Sequence, residues 1–135
     1  MSEQPPDCVV LAVRHHGLSE GIRGLLETAF RVVVMVVDED SLVESVARLA
    51  PALVVVDLSL GRDGGMGWLV RLHARFPALP VIVLSVHDEA EVLRAAMRAG
   101  ATGFVLKRAI AHELLSAVEA VLAGGHYPEV PTRPA

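Results

Sequence analysis

The stretch Pro51-Ala-Leu-Val-Val-Val-Asp57-Leu-Ser-Leu-Gly61 decides how the rest of the chain is read. Ala52 to Val56 is an unbroken apolar run, rich in β-branched residues, and it ends on a carboxylate. Glycines at 61, 64, 65 and 67 crowd the positions that follow. A strand with one wet face would alternate apolar and polar residues. A continuous apolar run bounded by turn residues describes a strand buried on both faces. Asp57 therefore stands where a central strand stops. In an open α/β sheet, that carboxyl edge is where ligands bind and chemistry is done. Two later runs also end in polar groups, Val81-Ile-Val-Leu-Ser85 and Gly103-Phe-Val-Leu-Lys107. An acid, a hydroxyl and an amine at three successive strand ends make a candidate site.

Working outward, Val9 to Val13 reads as a first strand, stopped by Arg14-His-His-Gly17. Leu18, Ile22, Leu25, Leu26 and Ala29 then recur at helical spacing. Val32 to Val37 is a second strand, followed by the acidic turn Asp38-Glu-Asp40. Ser41 with Glu44 three residues on has capping-box form, ahead of a helix with Val43, Val46, Ala47 and Ala50 on one face. The third strand is Ala52 to Asp57. Beyond the glycines, Leu69, Leu72 and Phe76 define a helix face, and Pro77 and Pro80 bracket the turn into the fourth strand. Asp88 with Glu91 has the form of another capping box. Leu93, Ala96 and Met97 line the helix it opens, and Gly100 is placed to end that helix. Gly103 to Leu106 is a short fifth strand. A last helix carries Leu114, Val118, Val121 and Leu122 and stops at Gly124-Gly125. Strand and helix alternate through the chain, which predicts an α/β parallel sheet with helices on both faces and right-handed crossovers. Residues 1–7 read as a flexible start, 8–125 as the domain, and the proline-rich 126–135 as a linker or tail.

The bulk properties narrow the function. The 135 residues suit one domain, and a hydrophobic share of 53% is enough to cover its elements well. A net charge of -4 leaves no basic footprint for nucleic acid. The one cysteine, Cys8, forms no internal disulfide, which suits a reducing cytoplasm. No apolar run has the length of a membrane span, and Met1 to Asp7 lacks the apolar core of a signal peptide. The expected location is cytoplasmic.

Three stretches together carry a resemblance. Pro51-Ala-Leu-Val-Val-Val-Asp57-Leu, Val81-Ile-Val-Leu-Ser85-Val-His-Asp and Ala99-Gly-Ala-Thr-Gly-Phe-Val-Leu-Lys107 closely resemble two-component response-regulator receiver domains, over roughly Val9 to Gly125. Ala95-Ala-Met-Arg-Ala-Gly-Ala-Thr-Gly-Phe and Leu114-Leu-Ser-Ala-Val-Glu-Ala-Val-Leu-Ala-Gly-Gly-His-Tyr are similar to the NarL/LuxR-type branch. The resemblance implies a flavodoxin-like (CheY-like) fold, five βα units in a three-layer sandwich with sheet order 2-1-3-4-5. It makes Asp57 the phosphoacceptor, Ser85 the hydroxyl that contacts the phosphoryl group, Lys107 its charge partner and Phe104 the switch aromatic. It implies a histidine kinase as phosphodonor and homodimerisation through receiver surfaces. In this branch a DNA-binding helix-turn-helix domain follows the linker, and this chain ends before one could begin. No direct contact with nucleic acid or membrane is expected of it.

One departure matters. Working receivers carry a pair of acids after the first strand, which hold magnesium with the acceptor aspartate. Here those places are Arg14 and His15, and no carboxylate lies between Asp7 and Glu20. Magnesium wants oxygen ligands, so no bound metal is expected and phosphoryl transfer should slow by orders of magnitude. The expectation is a phosphate-independent interaction module, with Arg14 clamped on Asp57. The alternative is a working phosphoacceptor in which the Arg14 guanidinium replaces the metal. In either case Asp57 should be ionised, its pKa lowered by neighbouring cations. A metal site on His15 and His16 is disfavoured because adjacent residues point apart. The glycines at 61, 64, 65 and 67 lack the Gly-Lys-Ser order of a P-loop. Relatives carry a proline in this loop where the chain has Gly61, so a less constrained loop is expected. Val32-Val-Val-Met-Val-Val37 falls on a sheet edge in the implied order, with helix packing favoured over a partner surface as the reason for its apolarity.

Overall fold

The computed structural model describes residues 7–61 and 65–128, with only the backbone of His16. Strands β1 (Cys8–Ala12), β2 (Val32–Val36), β3 (Leu53–Asp57), β4 (Val81–Ser85) and β5 (Gly103–Leu106) form one parallel sheet in the order β2-β1-β3-β4-β5. Helices α1 (His16–Leu26), α2 (Glu39–Leu49), α3 (Gly67–Arg75), α4 (Ala90–Ala99) and α5 (Ile110–Leu122) connect and cover them. Single 3-10 turns, Leu58–Leu60 and Lys107–Ala109, follow β3 and β5. The implied strand order is the observed one.

The period of two along a strand sorts the core. Leu53 and Val55 face a cluster with Leu11, Ile22, Leu26, Leu84, Leu114 and Val118, under α1 and α5. Val54 and Val56 face the opposite cluster with Leu42, Trp68, Leu69, Val83 and Ala96, under α2, α3 and α4. All five β3 residues are buried. Fully burying each such side chain is worth about 1.5–3 kcal/mol, which is why the central strand tolerates no polar residue before Asp57. The edge strand β2 shares this arrangement: Val33 and Met35 pack on one cluster, Val34 and Val36 on the other. Packing on both faces accounts for Val33 to Val36, which are half-buried, while Val32 and Val37 at the ends of the run are exposed.

Local signals needed correction at three points. Helix α2 starts earlier than a Ser41 cap would allow: Asp38 is the N-cap, and its Oδ1 accepts from the Ser41 N–H at 2.8 Å. Asp38 presents its carboxylate at the very start of the acidic run, and Glu39 and Asp40 then sit favourably in the first turn. Helix α4 has Glu89 at its N-cap with no side-chain cap, while Asp88 pairs with Arg108 at 3.1 Å. Leu122, expected to face inward, is 37% exposed, because the buried face of α5 ends at Val121. Gly100 does end α4, at φ +124, and a Cβ there would lie 2.5 Å from the His73 Cβ. Beyond α5, Tyr127 makes a parallel bridge to Gly103 on β5.

Candidate functional site

Parallel pairing aligns the ends of the central strands. Asp57 pairs with Leu84 in register, and Ser85 with Leu106. The last residues of β3 and β4 and the first beyond β5 are thereby brought to one edge. Asp57, Leu58, Ser59, Ser85, Val86, His87 and Lys107 line a cavity of about 170 Å³ there.

The Asp57 side chain, only 3% exposed, is engaged at both oxygens. Its Oδ2 accepts from the Lys107 ammonium at 2.5 Å. Its Oδ1 accepts from both the backbone N–H and the hydroxyl of Ser59, each at 2.9 Å. Asp57 is therefore also the N-cap of the 3-10 turn Leu58–Leu60. Burial pushes its pKa up, but the Lys107 ammonium and the two Ser59 donors outweigh that and hold the carboxyl below its usual range. The site thus contains a carboxylate, as the sequence suggested, with Lys107 as the cation beside it.

Ser85 is buried, and its hydroxyl is bound to the loop that follows β4. Its Oγ accepts from the His87 N–H at 2.9 Å and donates to the His87 carbonyl at 3.1 Å. This ties β4 to the loop that carries Val86, which is 64% exposed. Phe104, in the middle of β5, is buried in the α2–α3–α4 cluster, and its backbone N–H donates to the Tyr127 carbonyl at 2.7 Å.

Arg14 does not clamp Asp57. Its side chain is directed across the 3-10 turn, where Nη2 donates to the Leu60 carbonyl at 2.8 Å. It lines a separate cavity of about 370 Å³ with Asp38, Glu39, Asp40, Leu60, Gly61 and Arg71. The physical reason is competition: Asp57 already accepts from Ser59 and Lys107 on both oxygens, whereas the Leu60 carbonyl at the end of the turn takes the Arg14 donor. A guanidinium held there does not stand in for a metal on Asp57 either. His15 is exposed. Gly61 adopts φ -68 and ψ 134, an extended conformation that needs no glycine. Gly64 and the rest of residues 62–64 lie outside the described residues.

Ser59 was missed by the sequence reading, although Asp-x-Ser is a recognisable local turn pattern. Trp68, whose indole N–H donates to the Leu58 carbonyl at 3.3 Å, was also missed. It supports the turn from beneath, a contact that no local pattern announces. Among the described residues, no group of three His, Cys, Asp or Glu side chains is placed to hold a metal ion. Among them too, no helix is long and apolar enough to cross a membrane.

The response regulator receiver domain family matches residues 3–119. The chain is 31% identical over 121 residues to the transcriptional regulatory protein DegU of Brevibacillus brevis, covering 88% of this chain and 51% of that one. It is 36% identical over 116 residues to the transcriptional activator protein ExaE of Pseudomonas putida, covering 86% and 51%. The chain spans about half the length of these curated relatives. Among solved structures, a LuxR-family response regulator from an Aurantimonas species superposes with TM-score 0.82 at 27% identity, over 91% of this chain and 89% of that one. The isolated receiver domain of RcsB from Salmonella enterica, in its apo form, gives 0.81 at 28% identity, over 93% of each chain.

Proposed function

This chain belongs to the response regulator receiver family, as a receiver domain of the NarL/LuxR type in two-component signalling, and from that premise we propose that it is an atypical receiver in which magnesium-dependent phosphorylation of Asp57 is weak or absent. Arg14 and His15 carry this reading: they follow β1 where the family's metal-binding acids belong. Among the described residues, Asp57 is the only carboxylate lining its cavity. Lys107 occupies one of its oxygens and Ser59 the other. Magnesium demands a near-octahedral set of oxygen ligands, usually including carboxylates. This donor set does not fit it.

Within the family assignment, Asp57 is the phosphoacceptor position, Ser85 and Lys107 are the phosphate-contacting groups, and Phe104 is the switch aromatic. The bonded Ser85 hydroxyl and the paired Lys107 would each have to leave present partners to reach a phosphoryl oxygen. A cation at the equatorial oxygens and exact positioning are what phosphoryl transfer relies on. Arg14, held on the Leu60 carbonyl, supplies neither. We assign the domain instead to signalling through its surfaces, with a second copy or a docked protein as partner and a histidine kinase as the family's upstream component. The relatives' names point to control of transcription, and we place the domain's action in the cytoplasm.

The test is exposure of the protein to acetyl phosphate with and without magnesium, read by intact mass with Asp57→Asn as control. No mass gain is expected in either condition. A magnesium-dependent gain of one phosphoryl group, absent from the control, would overturn the proposal.

A further inference from the structure

Packing covers the two faces of β2 but not its edge. The strand ends the sheet, so one side of its backbone meets no other strand. The Val32 N–H donates to the Asp7 carbonyl, and the Val36 carbonyl accepts from the Val13 N–H. Val32, Val34 and Val36 therefore turn their backbone groups to β1, where they stand in register with Cys8, Val10 and Ala12. Across a trans peptide the neighbouring groups point the other way. The outward set is the Arg31 carbonyl, both groups of Val33 and of Met35, and the Val37 N–H. Among the described residues, none of these makes a backbone hydrogen bond across that edge. Natural sheets blunt such an edge with lysine, proline, a bulge or an inward charge. Val32-Val-Val-Met-Val-Val37 holds no lysine, proline or charge, and Val32 and Val37 are 51% and 57% exposed.

We propose that this edge pairs with the β2 edge of a second copy of the chain, antiparallel about a two-fold axis at Val34. The proposal rests on the reading of the domain as one that acts through its surfaces, and it names the surface and the partner. The two-fold keeps each face of the sheet on its own side, so Val34 meets its own copy, Val32 meets Val36 and Arg31 meets Val37. In this register the outward groups meet one for one. Val33 and Met35 of opposite copies exchange both backbone bonds, and each Val37 N–H donates to the other copy's Arg31 carbonyl. Charge selects this partner and this direction. Arg31, 64% exposed, precedes the run, and the acidic turn Asp38-Glu39-Asp40 follows it. Antiparallel pairing lays each arginine beside the other copy's acidic turn, whereas parallel pairing would set like charges together. The present contact of Arg31, with Asp7 at 3.7 Å, is exposed, a kind worth little. The opposite edge of the sheet carries the Tyr127 bridge to β5, so the pairing closes at a dimer.

The test is sedimentation equilibrium with backbone amide exchange by NMR, on the full chain and without acetyl phosphate or magnesium. The parent should be a dimer that dissociates on dilution. The Val33, Met35 and Val37 amides should be protected in the dimer and exchange freely on dilution, while those of Val34 and Val36, bonded to β1, stay protected throughout. Val37→Lys sets a lysine opposite Arg31 and should raise the dissociation constant by about tenfold. Arg31→Glu, which sets a carboxylate beside the acidic turn, should do the same. The two changes in one chain pair lysine with glutamate and should recover part of the loss. Protected Val34 and Val36 amides in each variant will show that the fold is kept. A monomeric parent would overturn the proposal, as would single variants that dimerise as tightly as the parent. A dimer whose outward amides still exchange freely would also overturn it, moving the contact to another face and leaving the reading of a surface-acting domain in place.

Discussion

Replacing Lys107 by methionine should reveal how much of the domain's stability rests on one buried ion pair. The carboxylate of Asp57 is 3% exposed and the Lys107 side chain 18%, so neither charge is well served by water. Removing one member of such a pair leaves the other uncompensated, at a cost of about 3–5 kcal/mol. Asp57 would keep both Ser59 donors, which places the expected loss at the lower end, about 3 kcal/mol. With a urea slope of about 1–3 kcal/mol per molar, the midpoint should fall by about 1–3 M at pH 7. The sign of the pH dependence follows from the direction of the Asp57 shift. In the parent its pKa is lowered, so the stabilisation is present above the unfolded value of about 3.9 and is lost as pH falls through the lower folded value. In the variant, burial continues to push the pKa up without the ammonium to oppose it. The buried carboxyl can then take a proton at mildly acid pH, and the gap between variant and parent should narrow from pH 7 to pH 4. Adding Asp57→Asn to Lys107→Met should recover more than half of the loss at pH 7. Urea denaturation followed by circular dichroism at both pH values decides the matter. A loss below about 1 kcal/mol, the range of exposed ion pairs, or an equal loss at both pH values, would refute the reasoning.

Other perturbations address separate parts of the structure. Arg14→Asp combined with His15→Asp should bind magnesium more tightly than the parent, measured by titration calorimetry; a variant no different from the parent would mean that loop geometry, beyond charge, prevents coordination. Asp38→Ala should cost about 1 kcal/mol in urea denaturation because it removes the α2 cap, whereas Ser41→Ala, which keeps the donating backbone N–H, should cost much less. Gly100→Ala should destabilise by at least about 1–3 kcal/mol from its positive φ alone, and His73→Ala in the same chain should restore little of the loss, because the His73 Cβ that the new methyl meets at 2.5 Å remains. A thermal melt in which Gly100→Ala matches the parent would contradict both parts of that account.

The route from residues to site shows where local patterns suffice. The runs at Val9, Val32, Val54, Val81 and Phe104 read as strands, because short β-branched runs bounded by turn residues favour strand over helix. Asp57, Ser85 and Lys107 were legible for the same reason: each interrupts or follows such a run where the strand must end. Helix starts were less legible. Asp38, Ser41 and Asp88 are competent caps by type, yet Glu89, which is not, takes the cap position of α4, because the position depends on where the preceding strand releases the chain.

The positions of the strands and the polar groups at their ends were thus determined by the sequence itself, through apolar periodicity and turn chemistry, whereas the strand order followed only from the resemblance to receiver domains. The absence of carboxylates at Arg14 and His15 was equally plain. Only the tertiary structure decided which cation meets Asp57. Arg14 and Lys107 are both adjacent to the site in the order of elements, and charge alone favours either. Their choice is made by competition at the 3-10 turn, where the Leu60 carbonyl takes Arg14 and leaves Asp57 to Lys107. The engagement of Ser85 by His87 and the seating of Tyr127 on β5 were likewise settled only in three dimensions. Those contacts join backbone groups whose partners are set by the packing of whole elements, and a backbone group looks the same at every position of a sequence.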